Sequence, residues 1–283
     1  MGDLRDVCND SFARFKADRL AGLPEKNGKR RPVKPATVNR ALEVAVTILN
    51  RAARVWRSGG RPWLSTPPLI EMLDEEATRK KPRPITWAEQ NLLLPGLPAH
   101  LERMCLFTIN TGARDENVCG LRWAWERTVP DVGRSVFVVP AAEFKGKRDH
   151  VLILNDVAWR IVESQPGKHA EFVFVYRRER RVNLAKAPTM PYRRIQTMNN
   201  TAFQRRRAEL GLKGVRIHDL RHTYATRLKA AGIHKEDRDL LLGHASGDMS
   251  ELYGDAEIAR LVDLANQVNQ TRDRATLRRV VNG

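Results

Sequence analysis

Hydrophobic residues recur at helical spacing over most of the chain. The longest such stretch begins at Thr37 and places Leu42, Val46 and Leu49 on one side of a helix. The glycines at 59 and 60 are expected to end this helix. A shorter apolar pattern over residues 4–20 predicts another helix before it. The N-terminal part of the chain is therefore expected to be a small helical unit.

Prolines and basic residues then interrupt the helical pattern. Prolines stand at positions 62, 67, 68, 82 and 84, and Arg79-Lys80-Lys81 adds a run of charge. Such a composition is typical of a linker. We therefore predict two domains, residues 1–81 and residues 82–283. Thr86 followed by Glu89 matches a capping box and should start the first helix of the second domain.

The second domain is predicted to be mostly helical, with strands in its middle. The β-branched runs at 135–140 and 150–154, separated by EFKGKRD, predict a hairpin, and residues 172–176 predict a third strand. Helical patterns cover residues 101–110, 115–123, 199–210, 218–231, 235–242 and 255–268. The fold class that follows is mainly α with a small antiparallel sheet, an α+β arrangement.

The charge of the chain indicates more than a generic helical protein, because it suggests a polyanionic partner. The chain has 50 basic and 33 acidic residues, a formal net charge of +17. An excess of this size favours nucleic acid as the partner, although a surface that only promotes solubility is the alternative. The arginines that would contact DNA are clustered at 177, 178, 180 and 181 and at 205–207.

The cysteines and the apolar runs predict a cytoplasmic protein. Cys8, Cys105 and Cys119 are odd in number and widely spaced, which indicates neither a disulfide framework nor a zinc site. The N-terminus has no signal-peptide apolar stretch, and no apolar run is long enough to span a bilayer. We expect no metal, no cofactor and no membrane partner.

Five side chains suit the cleavage of a phosphodiester. Guanidinium binds two phosphate oxygens at once, and Arg114 and Arg221 are the candidates. His218 precedes Arg221 by three residues, so both would share one helical face. His218 and His244 would donate to phosphate oxygens or move a proton. Tyr253, nine residues after His244, is the candidate nucleophile.

The leaving 5′ oxygen needs a proton donor, and the tip of the predicted hairpin offers two. Lys145 and Lys147 flank Gly146 on that turn. A lysine on a turn can reach the scissile group and act as a general acid. We take Lys145 as the candidate and leave Lys147 open.

With these residues in place, the chain resembles the tyrosine recombinases, the phage integrase family. The similarity runs from about residue 35 to residue 265. It is carried by TGARDENVCGLRW, by the hairpin lysine in FKGKRDH, by HDLRHTYATRL, by LLGHAS and by Tyr253.

The resemblance implies a C-shaped clamp around double-stranded DNA. Residues 1–81 would contain the core-binding domain with its basic linker, and residues 82–283 would be the catalytic domain. Tyr253 would form a 3′-phosphotyrosyl link without ATP or metal, making the protein a site-specific recombinase of a phage or other mobile element. The family works as a tetramer on DNA, and accessory DNA-bending proteins are implied as partners. The catalytic pocket would consist of Arg114, Lys145, His218, Arg221, His244 and Tyr253.

Two departures from the family pattern give rise to competing hypotheses. Asn117 stands where the family usually has an acidic residue, and the N-terminal region is short, as expected of a truncated core-binding domain. Both favour a prophage remnant that only binds DNA. DNA relaxation by type IB topoisomerase chemistry is the other alternative. The apolar face of residues 258–268 is expected either to dock on a neighbouring protomer or to pack within the chain.

Overall fold

A computed structural model describes residues 3–22, 31–165, 167–177, 191–244 and 254–269. The chain divides into two compact units, Met1–Lys81 and Pro82–Gly283. The sequence-based division into domains lies at the same position. Within the described ranges, no helix is long and apolar enough to cross a membrane.

The smaller unit is built on two helices, α1 (Ala13–Ala21) and α2 (Pro35–Arg54). The predicted helix over 4–20 is shorter than expected, because 3₁₀ turns occupy the residues before Ala13. The glycines at 59 and 60 do not end α2. They have φ angles of 56° and 78° and form the turn between strands β1 (Arg57–Ser58) and β2 (Arg61–Pro62). The core of this unit consists of Val38, Leu42, Leu49, Ala52, Leu64 and Ile70.

Three helices open the larger unit. The predicted capping box is confirmed at α3 (Trp87–Leu93), where Glu89 N donates to Thr86 Oγ1 and Thr86 N donates to Glu89 Oε2. Next come α4 (Ala99–Thr111), which ends at Gly112, and the short α5 (Asp115–Cys119). The predicted helix over 115–123 is thus shorter than expected, since the chain leaves α5 after Cys119.

A three-stranded antiparallel sheet follows, in the order β3 (Glu126–Val129), β4 (Arg134–Val139), β5 (His150–Leu152). The predicted hairpin is confirmed, with Val139 opposite His150. The third predicted strand is shortened to β6 (Val175–Tyr176). It pairs with β7 (Arg193–Arg194) in a separate two-stranded sheet, because residue 172 forms only an isolated bridge with Arg122.

The remaining helices enclose the core of the larger unit. They are α6 (Asp156–Glu163), α7 (Thr201–Glu209), α8 (Ile217–Ala230), α9 (Lys235–Leu242) and α10 (Asp255–Asn266). Helix α4 packs against both α6 and α8. The predicted fold class, mainly α with small antiparallel sheets, is confirmed.

The apolar face of α10 is buried inside this chain. Leu261 and Val262 pack in one cluster with Leu228 and Leu241 from α8 and α9. Residues 258–268 were expected either to dock on a neighbouring protomer or to pack within the chain. In the structure they pack within the chain.

Candidate active site

Arg114 is placed by a sharp turn between α4 and α5. Gly112 has φ 68°, and a Cβ there would lie 2.7 Å from Tyr224 Cδ1 and 2.8 Å from Leu242 Cδ2. Only glycine suits both the left-handed backbone and the close approach. Two residues later, the Arg114 guanidinium lies over the Phe144 ring, 4.9 Å from its centroid. Its Nη1 is buried and has no hydrogen-bond partner within the described residues.

Arg221 is 5% exposed and is held by backbone oxygens. Its Nη1 donates to Gly112 O at 2.5 Å, and its Nη2 donates to Leu242 O at 2.6 Å. These bonds connect α8 to the ends of α4 and α9. Burial, and secondly the charge of Arg114, lower the pKa of Arg221 to about 10. At neutral pH the group is still charged, and no carboxylate within the described ranges hydrogen-bonds to it.

His244 completes the contacts of Arg221. The Arg221 Nη2 to His244 Nε2 distance is 2.7 Å. Because a guanidinium can only donate, Nε2 accepts, and the imidazole is neutral with its proton on Nδ1. Burial, together with Arg221 and Arg114, lowers the pKa of His244 below its ordinary value, which agrees with that state. Gly243, with φ 65°, ends α9 and turns the ring into this position.

His218 lies one turn before Arg221 at the start of α8. Its ring meets His222 edge-on, with centroids 4.7 Å apart. Burial, then His222 and Arg221, lower the pKa of His218, so it too is neutral at neutral pH. Tyr224, two residues after His222, has a fully buried side chain.

An open cleft of about 1080 Å³ joins several of these side chains. Arg114 and His218 line it together with Lys145 and Lys147. Both lysines are exposed, and Lys147 has a left-handed φ of 51°. The structure therefore keeps both of them as candidates for the proton donor.

Asn117 connects α5 to the turn that carries the lysines. It is 5% exposed, and its Nδ2 donates to Glu143 O at 3.0 Å. Its Oδ1 is buried without a hydrogen-bond partner within the described residues. The neighbouring Asp115 holds α5 from the other side, accepting from Met198 N at 2.9 Å. The amide at 117 thus makes a contact that a carboxylate, which lacks a donor, cannot make.

His150 is a member of this site that the sequence did not reveal. It is 4% exposed and stacks on Phe144 with centroids 4.6 Å apart. Burial, followed by the charges of Arg221 and Arg114, lowers the pKa of His150 to about 3. The only sequence signal was its place at the first position of the predicted strand.

Several predicted functional residues fall outside the described part of the chain or make other contacts. Tyr253 falls outside the described residues, as do the arginines at 178, 180 and 181. In the cluster at 205–207, Arg206 donates to Leu92 O and Arg207 donates to Val215 O. These two arginines hold the backbone of the larger unit, whereas Arg205 is exposed.

The arrangement suits an anionic ligand with several acceptor oxygens. Two guanidiniums that have no carboxylate partner among the described residues supply fixed positive charge, and two neutral imidazoles stand beside them. Exposed lysines on the edge of the cleft add mobile donors. In the described part of the chain, no three side chains of His, Cys, Asp or Glu are grouped to hold a metal ion.

Comparisons with known proteins give matches both in sequence and in structure. A model of the phage integrase family matches residues 91–260. The integrase of Salmonella phage P22 is 29% identical over 255 residues, which span 86% of this chain and 62% of that protein. Tyrosine recombinase XerA of Thermococcus kodakarensis is 26% identical over 207 residues, 68% of this chain and 67% of that protein. The chain thus spans less than two thirds of the length of the phage P22 integrase.

Solved structures share the fold at low identity. The Tn1549 transposon integrase, in complex with a circular intermediate DNA, has a TM-score of 0.55 at 12% identity, covering 92% of this chain and 81% of that chain. XerH site-specific recombinase, bound to a palindromic difH substrate, has a TM-score of 0.55 at 14% identity, covering 96% and 71%. At these identities the likeness concerns the fold alone.

Proposed function

Because this chain belongs to the phage integrase family, we propose that it cuts and rejoins double-stranded DNA at specific sites through a 3′-phosphotyrosyl link. The observation that carries this proposal is the pair Arg114 and Arg221. Both are charged, both are at least partly buried, and neither hydrogen-bonds to a carboxylate within the described residues. A phosphodiester would supply the missing negative charge and the acceptor oxygens.

The chemistry assigns one role to each group. The Tyr253 oxygen attacks the phosphorus, and its proton passes to the neutral imidazole of His218, since the acceptor nitrogen of His244 is already bonded to Arg221. The bond between phosphorus and the 5′ oxygen breaks, and Lys145 or Lys147 gives that oxygen a proton. Arg114 and Arg221 hold the non-bridging oxygens while charge builds on them. Attack by a 5′ hydroxyl on the phosphotyrosine reverses these steps and releases Tyr253, so the bond energy is conserved.

The partner that follows is duplex DNA. The Tn1549 integrase and XerH, which share this fold, are described as DNA complexes. The net charge of +17 supports the same partner. Strand exchange joins two DNA sites, so we further propose a tetramer on paired sites, together with accessory proteins that bend the DNA.

Covalent capture on randomised DNA tests the function and requires no chosen target site. The protein is incubated with nicked duplexes that carry a randomised segment around the nick, so that cleavage releases a short strand and traps the adduct. We expect an adduct that survives denaturation and EDTA, with the protein linked to a 3′ end and the free 5′ hydroxyl on the released short strand.

Tyr253→Phe is the matched control, since it removes only the phenolic oxygen. Persistence of the adduct in this variant would reject the nucleophile assignment. Binding without any adduct would indicate a protein that only binds DNA. Relaxation of supercoiled DNA without joining of two captured sites would indicate topoisomerase-type chemistry instead of recombination.

A further inference from the structure

The turn that carries the two candidate proton donors has one apolar anchor. Within residues 142–149, all of which are described, Phe144 is the one buried side chain. The turn is closed locally by Lys147 N donating to Phe144 O at 2.8 Å and by Ala141 N donating to Asp149 Oδ1 at 2.8 Å. Local bonds of this kind give the turn its shape. Its position on the protein depends on the contacts of the Phe144 ring, together with the bond from Asn117 Nδ2 to Glu143 O.

Two faces of the Phe144 ring are occupied by site residues. The Arg114 guanidinium lies over the ring at 4.9 Å, a cation–π geometry. The His150 ring stacks on it, with centroids 4.6 Å apart and planes inclined by 28°. Phe144 thus fixes the distance between Arg114 and the backbone that continues into Lys145.

Two glycines complete the enclosure of the ring. A Cβ on Gly243 would lie 2.6 Å from Phe144 Cζ, and a Cβ on Gly146 would lie 3.1 Å from Phe144 Cδ1 and Cε1. Gly146 belongs to the lysine turn, and Gly243 belongs to the turn that presents His244. The ring is therefore packed between the proton-donor segment and the segment that contacts Arg221.

His150 supports Phe144 from β5 and also meets Gly243. A Cβ on Gly243 would lie 2.9 Å from His150 Nδ1, and this buried nitrogen has no hydrogen-bond partner within the described residues. Its low pKa means that the ring is neutral at any working pH. A neutral ring can lie among Arg114, Arg148, Arg221 and His244, where a charged one would be repelled. His150 therefore acts as an uncharged packing ring behind Phe144.

We propose, on the premise that the proposed function holds, that Phe144, supported by His150, is the positioning residue that holds the proton-donating lysine turn in register with Arg114 and the Gly243–His244 turn. Phe144 itself touches no reacting atom. Its effect on the reaction runs through the lysine that protonates the leaving 5′ oxygen. Loss of its ring should therefore impair leaving-group protonation more than phosphate binding.

A substrate whose leaving group needs no proton tests this assignment. In the captured duplex, the 5′ bridging oxygen at the scissile phosphate is replaced by sulfur. The phosphorus–sulfur bond then breaks to release a thiolate, which is stable without a general acid because thiols are far more acidic than alcohols. We expect Phe144→Ala to slow adduct formation on the oxygen substrate about 10- to 100-fold more than on the sulfur substrate. On both substrates, we also expect the rate of adduct formation to fall about two- to fivefold, because Arg114 loses the ring beneath it.

Three controls define the result. Lys145→Ala and Lys147→Ala are tested separately. The lysine that donates the proton is the one whose variant, like Phe144→Ala, regains its rate of adduct formation on the sulfur substrate. Arg114→Lys should be slow on both substrates. Phe172→Ala removes another ring that lies under arginines, Arg122 and Arg194, and should show no difference between the two substrates. Equal slowing of Phe144→Ala on oxygen and sulfur would overturn the proposal.

Hydrogen exchange tests the anchor independently of activity. In Phe144→Ala, the Lys147 amide should exchange at least about tenfold faster than in the unmodified protein, while amides of α4 are unchanged. Unchanged exchange at Lys147 would overturn the proposal even if cleavage were slow. If the unmodified protein forms no adduct on either substrate, the proposed function fails, and faster exchange at Lys147 would still support the anchor.

Discussion

At the scale of single residues, the site depends on groups that are charged or neutral because of their surroundings. Arg221 is the clearest case, since one guanidinium bonds to two backbone oxygens and to His244. His150 is the opposite case, a titratable ring that the same surroundings keep neutral. Neither property belongs to the residue type alone. Each follows from burial and from neighbouring positive charge.

Arg221→Lys should be strongly deleterious although it keeps the charge. An ammonium cannot span Gly112 O, Leu242 O and His244 in one plane, so buried acceptors lose their donors. We expect adduct formation to fall by at least about 100-fold and the free energy of unfolding to fall by roughly 2 kcal/mol. Arg205→Lys, at an exposed arginine, is the matched control. Similar rates for the two variants would contradict the role of the guanidinium geometry.

His150 should make the fold sensitive to acid. Its pKa is lowered to about 3 in the folded state, against about 6.5 in the unfolded chain, so the unfolded state binds the proton first. The contribution of the neutral His150 ring to the free energy of unfolding is complete above pH 6.5 and declines as pH falls toward 3. Between pH 7 and pH 4.5, the loss should be roughly 2 to 3 kcal/mol, measurable by urea unfolding. His150→Phe, which cannot titrate, should lose less over this interval. An identical decline in the variant would show that other groups cause it.

At the scale of elements, the site is assembled at helix ends. Arg114 follows the end of α4, Arg221 lies in the second turn of α8, and His244 follows the end of α9. The glycines at 112 and 243 let these ends approach, and Arg221 bonds to carbonyls at both ends. Asn117 likewise connects α5 to the lysine turn, by donating to the backbone oxygen of Glu143. The side chains converge because the backbones of short elements meet at one place.

Gly112→Ala and Gly211→Ala separate close approach from backbone strain. Both glycines have φ 68°, but a Cβ at 112 would meet Tyr224 and Leu242 below 3 Å, whereas nothing lies within 4 Å at 211. We expect about 1 kcal/mol of destabilisation at 211 from strain alone and about 2 to 4 kcal/mol at 112. Urea unfolding midpoints provide the measurement. Equal losses of stability in the two variants would mean that the contact between α4 and α8 adjusts to the added methyl group at no cost in free energy.

At the scale of the whole molecule, the net charge of +17 bears on the proposed binding of DNA. Such an excess attracts any duplex, independent of sequence, through release of counterions. Exposed groups such as Arg205, Lys145 and Lys147 are available for it.

Binding to an arbitrary duplex should therefore depend steeply on salt. We expect the affinity to fall by at least about 1000-fold between 50 and 200 mM monovalent salt, as for proteins with six or more phosphate contacts. Arg205→Gln should reduce the slope of log affinity against log salt by about 1. Fluorescence anisotropy on a labelled duplex is the measurement. A slope near zero would indicate that the charge serves solubility and not DNA binding.

Local features were predictable because they depend on neighbours along the chain. The capping box at Thr86 and Glu89, the hairpin that joins β4 to β5, and the end of α4 at Gly112 all follow from short-range geometry. Errors arose where two interpretations of one signal compete. The glycines at 59 and 60 match a helix stop, but they turn a hairpin after α2 has already ended.

The candidate site, too, was predictable only in part. The sequence by itself determined the residue types, their order and the family, because a phosphodiester requires particular groups and these recur at recognisable spacing. The tertiary structure decided which groups meet. It placed Phe144 beneath Arg114 with His150 stacked on it, gave Asn117 a donor's role, and bonded Arg206 and Arg207 to backbone oxygens. Such contacts join residues far apart in the chain, and burial, charge and hydrogen bonding at those positions exist only once the elements have packed.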